Sequence, residues 1–385
     1  MNKQRKRTEW YLALFALATI ILAWGIGKQS KKEDWHQVIS NYYPDTIYQP
    51  KQVDEGIWKL EGNDSYFFLV KGEGKGYSGY IKLLLQYDQD HNLRNIHVVS
   101  SSETPSYFQR VKRAGFFFFF QDKDLFSSVK TYRQIEAVSG ATKTSEGVIA
   151  SVHSASSELA GYLNLKPPGE LSDEQIKFGA KEALVLLLFA LGIISRIRRF
   201  PYKNLLKWIT LGIGLVFLGF VYNSPITLSR LNSFLLGFWP NWHSEIHIYL
   251  LFFGVLIILL TSGRNIYCHS FCPFGALQEV LGRLSKASKV KLNNYYLWVW
   301  FQRALAWIAI ILALVFRNPS VSEYEVFGAA FQFTGSHLLF ILLAITVIAS
   351  LVFHKPWCYF LCPVNPVFSY LSLFRQKIRT LWARK

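Results

Sequence analysis

The 385-residue chain has only four cysteines, and they fall in two matching pairs: Cys268 and Cys272 in "CHSFCP", Cys358 and Cys362 in "CYFLCP". Thiolates are soft ligands, so two CxxxCP loops brought together would offer four sulfurs to an iron–sulfur cluster or to a structural zinc. A thiol–disulfide couple is the remaining redox chemistry open to such pairs, and buried structural cysteines explain the matched spacing poorly. A second stretch, "VSGATKTS" from Val138 to Ser145, sets small residues and several hydroxyls ahead of a helix. Free N–H groups and the positive dipole end of a helix N-terminus favour a phosphate, and Gly140 and Ala141 leave the backbone open to a bulky group. An ordinary capped turn is the alternative, with Thr144 or Ser145 as N-cap.

These residues must be positioned by a chain that is 51% hydrophobic and 16% aromatic but only 17% charged, the balance of a membrane protein. The net charge of +17 does not mark a nucleic-acid binder, because Lys and Arg fall in blocks between apolar runs. A bilayer core about 30 Å thick takes roughly 20 apolar helical residues. Six segments meet or approach that length: Trp10 to Ile26, Phe178 to Ser195, Leu205 to Tyr222, Ile246 to Ser262, Tyr296 to Phe316 and His337 to Phe353. The basic "MNKQRKR" precedes the first and no small-x-small cleavage site follows, so residues 1–26 read as a cytoplasmic basic stretch and a retained anchor. Lys181 and Glu182 intrude on the second segment, for which an interfacial amphipathic helix is the alternative.

Basic residues set the orientation. Lys3, Arg5, Lys6 and Arg7 precede the first span, and Arg196, Arg198, Arg199, Lys203 and Lys207 follow the second. Arg264, Arg283, Lys286, Lys289 and Lys291 follow the fourth, and Lys355, Arg375, Lys377, Arg379, Arg384 and Lys385 the sixth; the opposite loops hold only Arg230 and Arg317. Both termini are then cytoplasmic, residues 27–177 form one extracytoplasmic domain, and residues 178–385 form a five-helix membrane domain.

The outer domain reads as α+β: a short helix in "DWHQVISNYYP", strands in "GIWKLEG", "SYFFLVKGEG", "GYIKLLLQYD" and "LRNIHVVSSS", and a helix from Ser145 with Val148, Val152, Ala155 and Leu159 on one face. In the membrane domain the spans near 205 and 246 correspond to those near 296 and 337, and Cys268 and Cys358 lie 90 positions apart. This internal two-helix repeat, about 205–290 and 296–380, enters the membrane twice in the same direction, and a pseudo-twofold axis would gather both cysteine loops on the cytoplasmic side. That compartment is reducing, which favours metal ligation over disulfides.

"EAVSGATKTS" resembles the flavinylation motif of the FMN-binding domains in RnfG-like and NqrC-like subunits and in NosR-like membrane flavoproteins. The resemblance implies FMN joined through a phosphoester to Thr142, with Ser139, Gly140, Ala141 and Thr144 around it and a flavin transferase to attach it; Glu136 stands where the family has Asp. "SSSETPSYF" resembles the Glu-Thr-Pro segment of that family and offers Glu103 and Thr104 as flavin-site residues, though its usual Gly-Leu-Gly is replaced by Ser106, Tyr107 and Phe108. "FFFFFQDKDL" resembles the aromatic segment that follows, and equally reads as a buried strand. The duplicated CxxxCP motif after membrane helices resembles NosR-like and NapH-like iron–sulfur proteins, which implies an iron–sulfur cluster on Cys268, Cys272, Cys358 and Cys362. Many relatives continue into a ferredoxin-like domain; here 23 residues follow Cys362, so a cytoplasmic donor is expected to be separate or absent.

The expectation is a multi-pass electron-transfer flavoprotein of a bacterial cytoplasmic (inner) membrane. Electrons would pass between the quinone pool or a cytoplasmic-side iron–sulfur centre and FMN on the outer face, serving an extracytoplasmic redox protein. An approximately 30 Å hydrocarbon core would separate the cofactors, calling for a quinone, a haem or another buried centre between them. The other reading is an accessory protein that senses redox state or supports maturation of an outer-face reductase; a zinc-stabilised scaffold is a third. His243, His247 and His337 near the outer ends of spans are candidates for haem or for quinol deprotonation, or simply interfacial hydrogen-bonded residues. Arg303, inside the fifth span, is costly in lipid and is expected to face the bundle or a cofactor.

Overall fold

The computed structural model describes residues 3–30, 34–44, 49–61, 66–121, 132–169, 171, 178–197, 201–288, 295–321 and 324–382. Arg198, Arg199, Lys289, Lys291, Arg384, Lys385 and the "DKDL" part of the aromatic segment lie outside them.

A five-stranded antiparallel meander, in the order β1 (Gln49–Asp54), β2 (Ile57–Glu61), β3 (Tyr66–Lys75), β4 (Tyr80–Tyr87) and β5 (Leu93–Ser101), forms the sheet domain. Four strands stand where alternation places them. The unanticipated fifth, β1, is polar and contains Pro50; it is an edge strand, where a missing N–H costs no ladder bond. The long helix Thr142–Tyr162 covers one face of the sheet, and the short helix Trp35–Tyr42 seats Ile39 on the other beside Trp58, Leu60, Leu69 and Leu84. Val148, Val152, Ala155 and Leu159 are fully buried against Phe68, Val70, Ile81, Leu83 and Leu85. Val148, Val152 and Leu159 each contribute roughly 1.5–3 kcal/mol by burial.

Glycine sets the height of this helix. A Cβ on Gly74 would strike the Gly147 carbonyl and the Ser151 amide, which are backbone and cannot step aside. Gly74→Val is therefore expected to cost about 1–3 kcal/mol or more by overpacking, read as a lower unfolding temperature of the full chain; an unchanged temperature would show that the helix is not seated this way.

Two sequence readings of this domain need correction. The helix starts at Thr142 with Ala141 as its N-cap, one turn before Thr144 and Ser145. Those two hydroxyls are engaged elsewhere: Thr144 donates to Glu103, and Ser145 donates to the Ala141 carbonyl while accepting from the Val138 amide. The run Phe116–Phe120 is a 3₁₀ turn rather than a buried strand; its tight period buries Phe116 and Phe120 and turns Phe118 and Phe119 out.

Among the described residues, three helices are long and apolar enough to cross a membrane, Arg7–Gln29, Lys203–Val221 and Tyr296–Val315, and two more, Ile246–Ser262 and His337–Val352, are shorter. The second expected span is the 15-residue helix Ala180–Ile194, whose Glu182 is turned into the bundle and accepts from the Gly179 amide at 2.8 Å. The N-terminal helix packs along Tyr295–Val315: Gly27 lies against the Leu314 carbonyl, and Trp307 Nε1 donates to Thr19 Oγ1 at 3.0 Å. Arg303 stays inside, its guanidinium 5.0 Å from the Trp300 ring and 5.3 Å from that of Tyr370.

The sheet domain sits on one end of the bundle. Ser233 donates to the Ser78 carbonyl (2.7 Å), the Thr104 and Ser320 hydroxyls share a 3.2 Å bond, Tyr107 donates to Gln332, and Lys143 pairs with Glu245 at 3.4 Å.

Candidate functional site: a cleft at the domain junction and a buried thiol cluster

Gly140 (φ +75°) turns the chain into the helix, a conformation that suits glycine. The next residues place Thr142 at the first helical position, exposed, with the unpaired N–H groups of the first turn beneath it. Gly140, Ala141, Thr142 and Thr144 line a cleft of about 440 Å³ whose other wall belongs to the bundle: Phe220, Val221, Ser224, Arg230, His247 and Ile248 among others. Lys143, Lys181 and Arg230 surround it with positive charge, and Arg110 reaches Gly140 from outside. This arrangement suits a phosphate at the helix end and a flat, partly apolar group against the bundle.

Glu103 and Thr104 do not line this cleft. Glu103 is 2% exposed and works from behind: Oε1 accepts from the Ser78 and Gly79 amides at 2.9 and 3.0 Å, and Oε2 accepts from Thr144 at 2.6 Å. Burial raises its pKa against the pull of those donors. The carboxyl thus ties the loop after β3 to the helix N-terminus. Thr104 faces a neighbouring hollow and bonds Ser78 and Ser320, while Ser139 is exposed outside the cleft.

A second hollow, about 690 Å³, opens on the other side of Lys143 and holds Lys75 and His243. Among the described residues Lys75 Nζ is buried without a hydrogen-bond partner, and burial pushes its pKa down to about 8 against Glu245 and Glu103. The cost of the buried ammonium is complete below the folded value and vanishes as pH rises through the unfolded one, about 10.4. Lys75→Met is expected to raise the melting temperature by a few degrees at neutral pH and to change nothing near the unfolded lysine pKa. Equal gains at both would refute burial as the cause.

His247 is buried on the cleft wall, Nδ1 3.6 Å from the equally buried Glu182 carboxylate and Nε2 3.4 Å from Ser224 Oγ. His243 is half-buried in the second hollow and His337 is exposed, so the three expected histidines share no site.

The four cysteines are free: Cys272 and Cys362 belong to one core, Cys268 packs against it, and Cys358 touches Gln278. Cys272 is the N-cap of the helix Pro273–Leu284, and the amides of Gly275 and Phe274 reach its sulfur; Cys362 precedes the helix Val364–Trp382, and the Asn365 amide reaches its sulfur. Gln278 joins the two loops, donating to Cys358 Sγ at 3.4 Å and accepting from the Trp357 amide at 3.0 Å. Among the described residues, no three His, Cys, Asp or Glu side chains converge closely enough to hold a single metal ion. Burial raises all four thiols, so as thiolates they require a cationic centre; four sulfurs with amide donors are what an iron–sulfur cluster uses.

At the far end Glu279 clamps this unit. It meets Lys355 at 2.7 Å, Lys207 at 3.1 Å and His354 at 3.4 Å, and despite burial the two lysines hold its pKa down to about 2. Gln278, Glu279 and the Glu182–His247 pair were not found by sequence reasoning. Their partners lie 23 to 80 positions away, and nothing local marks them.

Residues 76–157 match the FMN-binding domain family, and residues 246–291 and 336–380 each match the 4Fe-4S binding domain family. One stretch of the chain is thus similar to an FMN-binding domain and two are similar to a 4Fe-4S binding domain. Thr142 and Glu103 fall within the segment that matches the FMN-binding domain family, and each 4Fe-4S match carries one CxxxCP pair. The chain is 28% identical over 196 residues to Protein NirI of Paracoccus denitrificans, covering 47% of this chain and 29% of that protein. It is 28% identical over 200 residues to Regulatory protein NosR of Pseudomonas aeruginosa, covering 48% and 28%. It is 32% identical over 107 residues to a component of the proton-translocating ferredoxin:NAD(+) oxidoreductase complex of Clostridium ljungdahlii, covering 26% and 58%. The matches thus span less than a third of the first two relatives and somewhat over half of the third. No solved structure matches the chain. The resemblance to NosR-like and NapH-like membrane flavoproteins is borne out by these partial matches, which pair an FMN-binding segment with two 4Fe-4S-binding segments in one chain.

Proposed function

We propose that this chain carries electrons between an iron–sulfur centre on Cys268, Cys272, Cys358 and Cys362 and an FMN joined by a phosphoester to Thr142. The observation that supports it most is the cleft itself. It presents one exposed threonine hydroxyl, at a helix N-terminus and among cations, to a bundle in whose core Cys268, Cys272 and Cys362 pack together. A flavin transferase would attach the FMN, and an extracytoplasmic redox protein would exchange electrons with it. Six spans, both termini in the cytoplasm of a bacterium and residues 27–177 outside its inner membrane fit the distribution of basic residues. Electrons would enter from the quinone pool or a cytoplasmic donor. The cleft's half-exposed Phe220 and Val221, and His247 backed by Glu182, offer a quinol-class molecule an apolar rim and a proton acceptor.

Co-expression with a flavin transferase, followed by iron, labile sulfide and flavin analysis of the purified full chain, tests this. Iron and sulfide together with flavin that survives denaturation are expected; zinc without sulfide would sink it. One relative is named a regulatory protein, which keeps an accessory role in view. That role would be favoured if the flavin stayed oxidised in the presence of quinol analogues while metal loading of a partner depended on this chain.

A further inference from the structure

The first cysteine loop does not stay at the far end of the bundle. Ile266 and Ser270 pack on Gly192, Phe271 on Gly214, and Pro273, next to Cys272, on Gly219 at 3.2 Å from where its Cβ would stand. These contacts climb toward the sheet domain, and Gly219 is adjacent to Phe220 and Val221 of the cleft wall. From the opposite direction the segment after Tyr222 dips inward, so that the Ile226 amide donates to Tyr267 Oη at 2.8 Å. The helix Pro273–Leu284 then descends to Glu279 and its clamp at Lys207. The first cysteine loop therefore packs along the bundle as far as Gly219, next to the cleft wall, while Lys355, three residues before Cys358, anchors the second loop to Glu279.

Between cluster and cleft lies a packed aromatic layer. Trp357, which precedes Cys358, meets Phe274 with ring centroids 5.8 Å apart; Phe274 meets Phe331 at 6.4 Å; Phe331 meets Phe220 at 5.1 Å. Trp357, Phe274 and Phe331 are 1%, 1% and 4% exposed, and Phe220 is on the cleft wall. Electron tunnelling weakens exponentially with distance and more steeply across voids than through close-packed atoms, and interiors of this kind leave few voids.

We propose that electrons move directly between the thiolate-held centre and the cleft flavin through Trp357, Phe274, Phe331 and Phe220, with no haem or quinone between them. Each transfer oxidises the iron–sulfur centre by one electron and reduces the flavin by one. Two in succession complete flavin reduction, with protons from water in the cleft, which His247 faces with Glu182 behind it. The external donor proposed above re-reduces the centre. The inference rests on the cofactor assignment, so loading is measured separately in the test.

The experiment uses full-length holoprotein, extracted free of quinone, with flavin, iron and sulfide quantified in every variant. After a sub-stoichiometric one-electron reduction of the iron–sulfur centre, its reduced signal is expected to decay at the rate at which the reduced flavin signal grows, without added quinone or haem. Phe331→Ala, which opens a void in the layer, is expected to slow this at least tenfold, and Phe331→Leu to slow it less, at unchanged cofactor content. Spin relaxation of the flavin signal, accelerated by the nearby reduced centre in the parent, reports their proximity without turnover. A flavin that stays oxidised until quinone is added, unaccelerated relaxation, or an unchanged rate in fully loaded Phe331→Ala would overturn the proposal. Absence of iron or flavin from the parent would instead overturn the cofactor assignment, and the proposal with it.

Discussion

Thr142→Ala is expected to abolish the fluorescent flavin band on a denaturing gel, whereas Thr142→Ser should keep most of it. A phosphoester needs a side-chain oxygen, and alanine at the first helical position leaves helix and cleft intact because its helix propensity is the best available. The neighbouring hydroxyls offer no substitute. Thr144 is buried and donates to Glu103, and Ser145 is fully buried and committed to the turn. Retention of the band in Thr142→Ala would return the motif to an ordinary turn. Loss in Thr142→Ser as well would mean that the transferase reads the methyl group too.

Cys272→Ser is expected to lose most of the iron and labile sulfide, and Cys358→Ser the same, although the two residues lie in different repeats. A cluster held by four thiolates fails as a unit, and each remaining sulfur is then a buried thiol in a site shaped for a charged centre. Gln278→Leu makes a finer test. Gln278 touches Cys358 but is no ligand, so its removal should weaken cluster retention by something like 10–100-fold during challenge with a chelator, while the initial iron content is kept. Equal iron in parent and Cys272→Ser would exclude a four-cysteine centre.

Most of the sheet domain could be read along the chain, because alternation and helical periodicity report burial directly. Strands β2 to β5 and the face of Val148, Val152, Ala155 and Leu159 follow from that pattern. Edge strand β1 did not, since its polar residues with Pro50 carry no burial signal. The five consecutive phenylalanines misled for a related reason: an unbroken apolar run has no period, and only the sheet's finished edge decides between strand and turn. Glu103 stands out in the sequence through its Glu-Thr-Pro segment, but its carboxyl braces the helix N-terminus instead of facing the cleft.

By itself the sequence determined which chemistries the chain can host. Two CxxxCP pairs and one small, hydroxyl-rich turn are local signals, and apolar length with blocks of basic residues is a property of segments. Only the tertiary structure decided how near those chemistries lie. The re-entry of the Ile266–Pro273 loop depends on Gly192, Gly214 and Gly219, whose missing side chains make room for it, and on pairings such as Tyr267 with Ile226 that join positions 41 apart. Such contacts are fixed by packing between elements and leave no periodic trace in either one. For that reason the sequence suggested two cofactors separated by a membrane, whereas the structure links Trp357, beside Cys358, to Phe220 on the cleft wall through a run of packed aromatic rings.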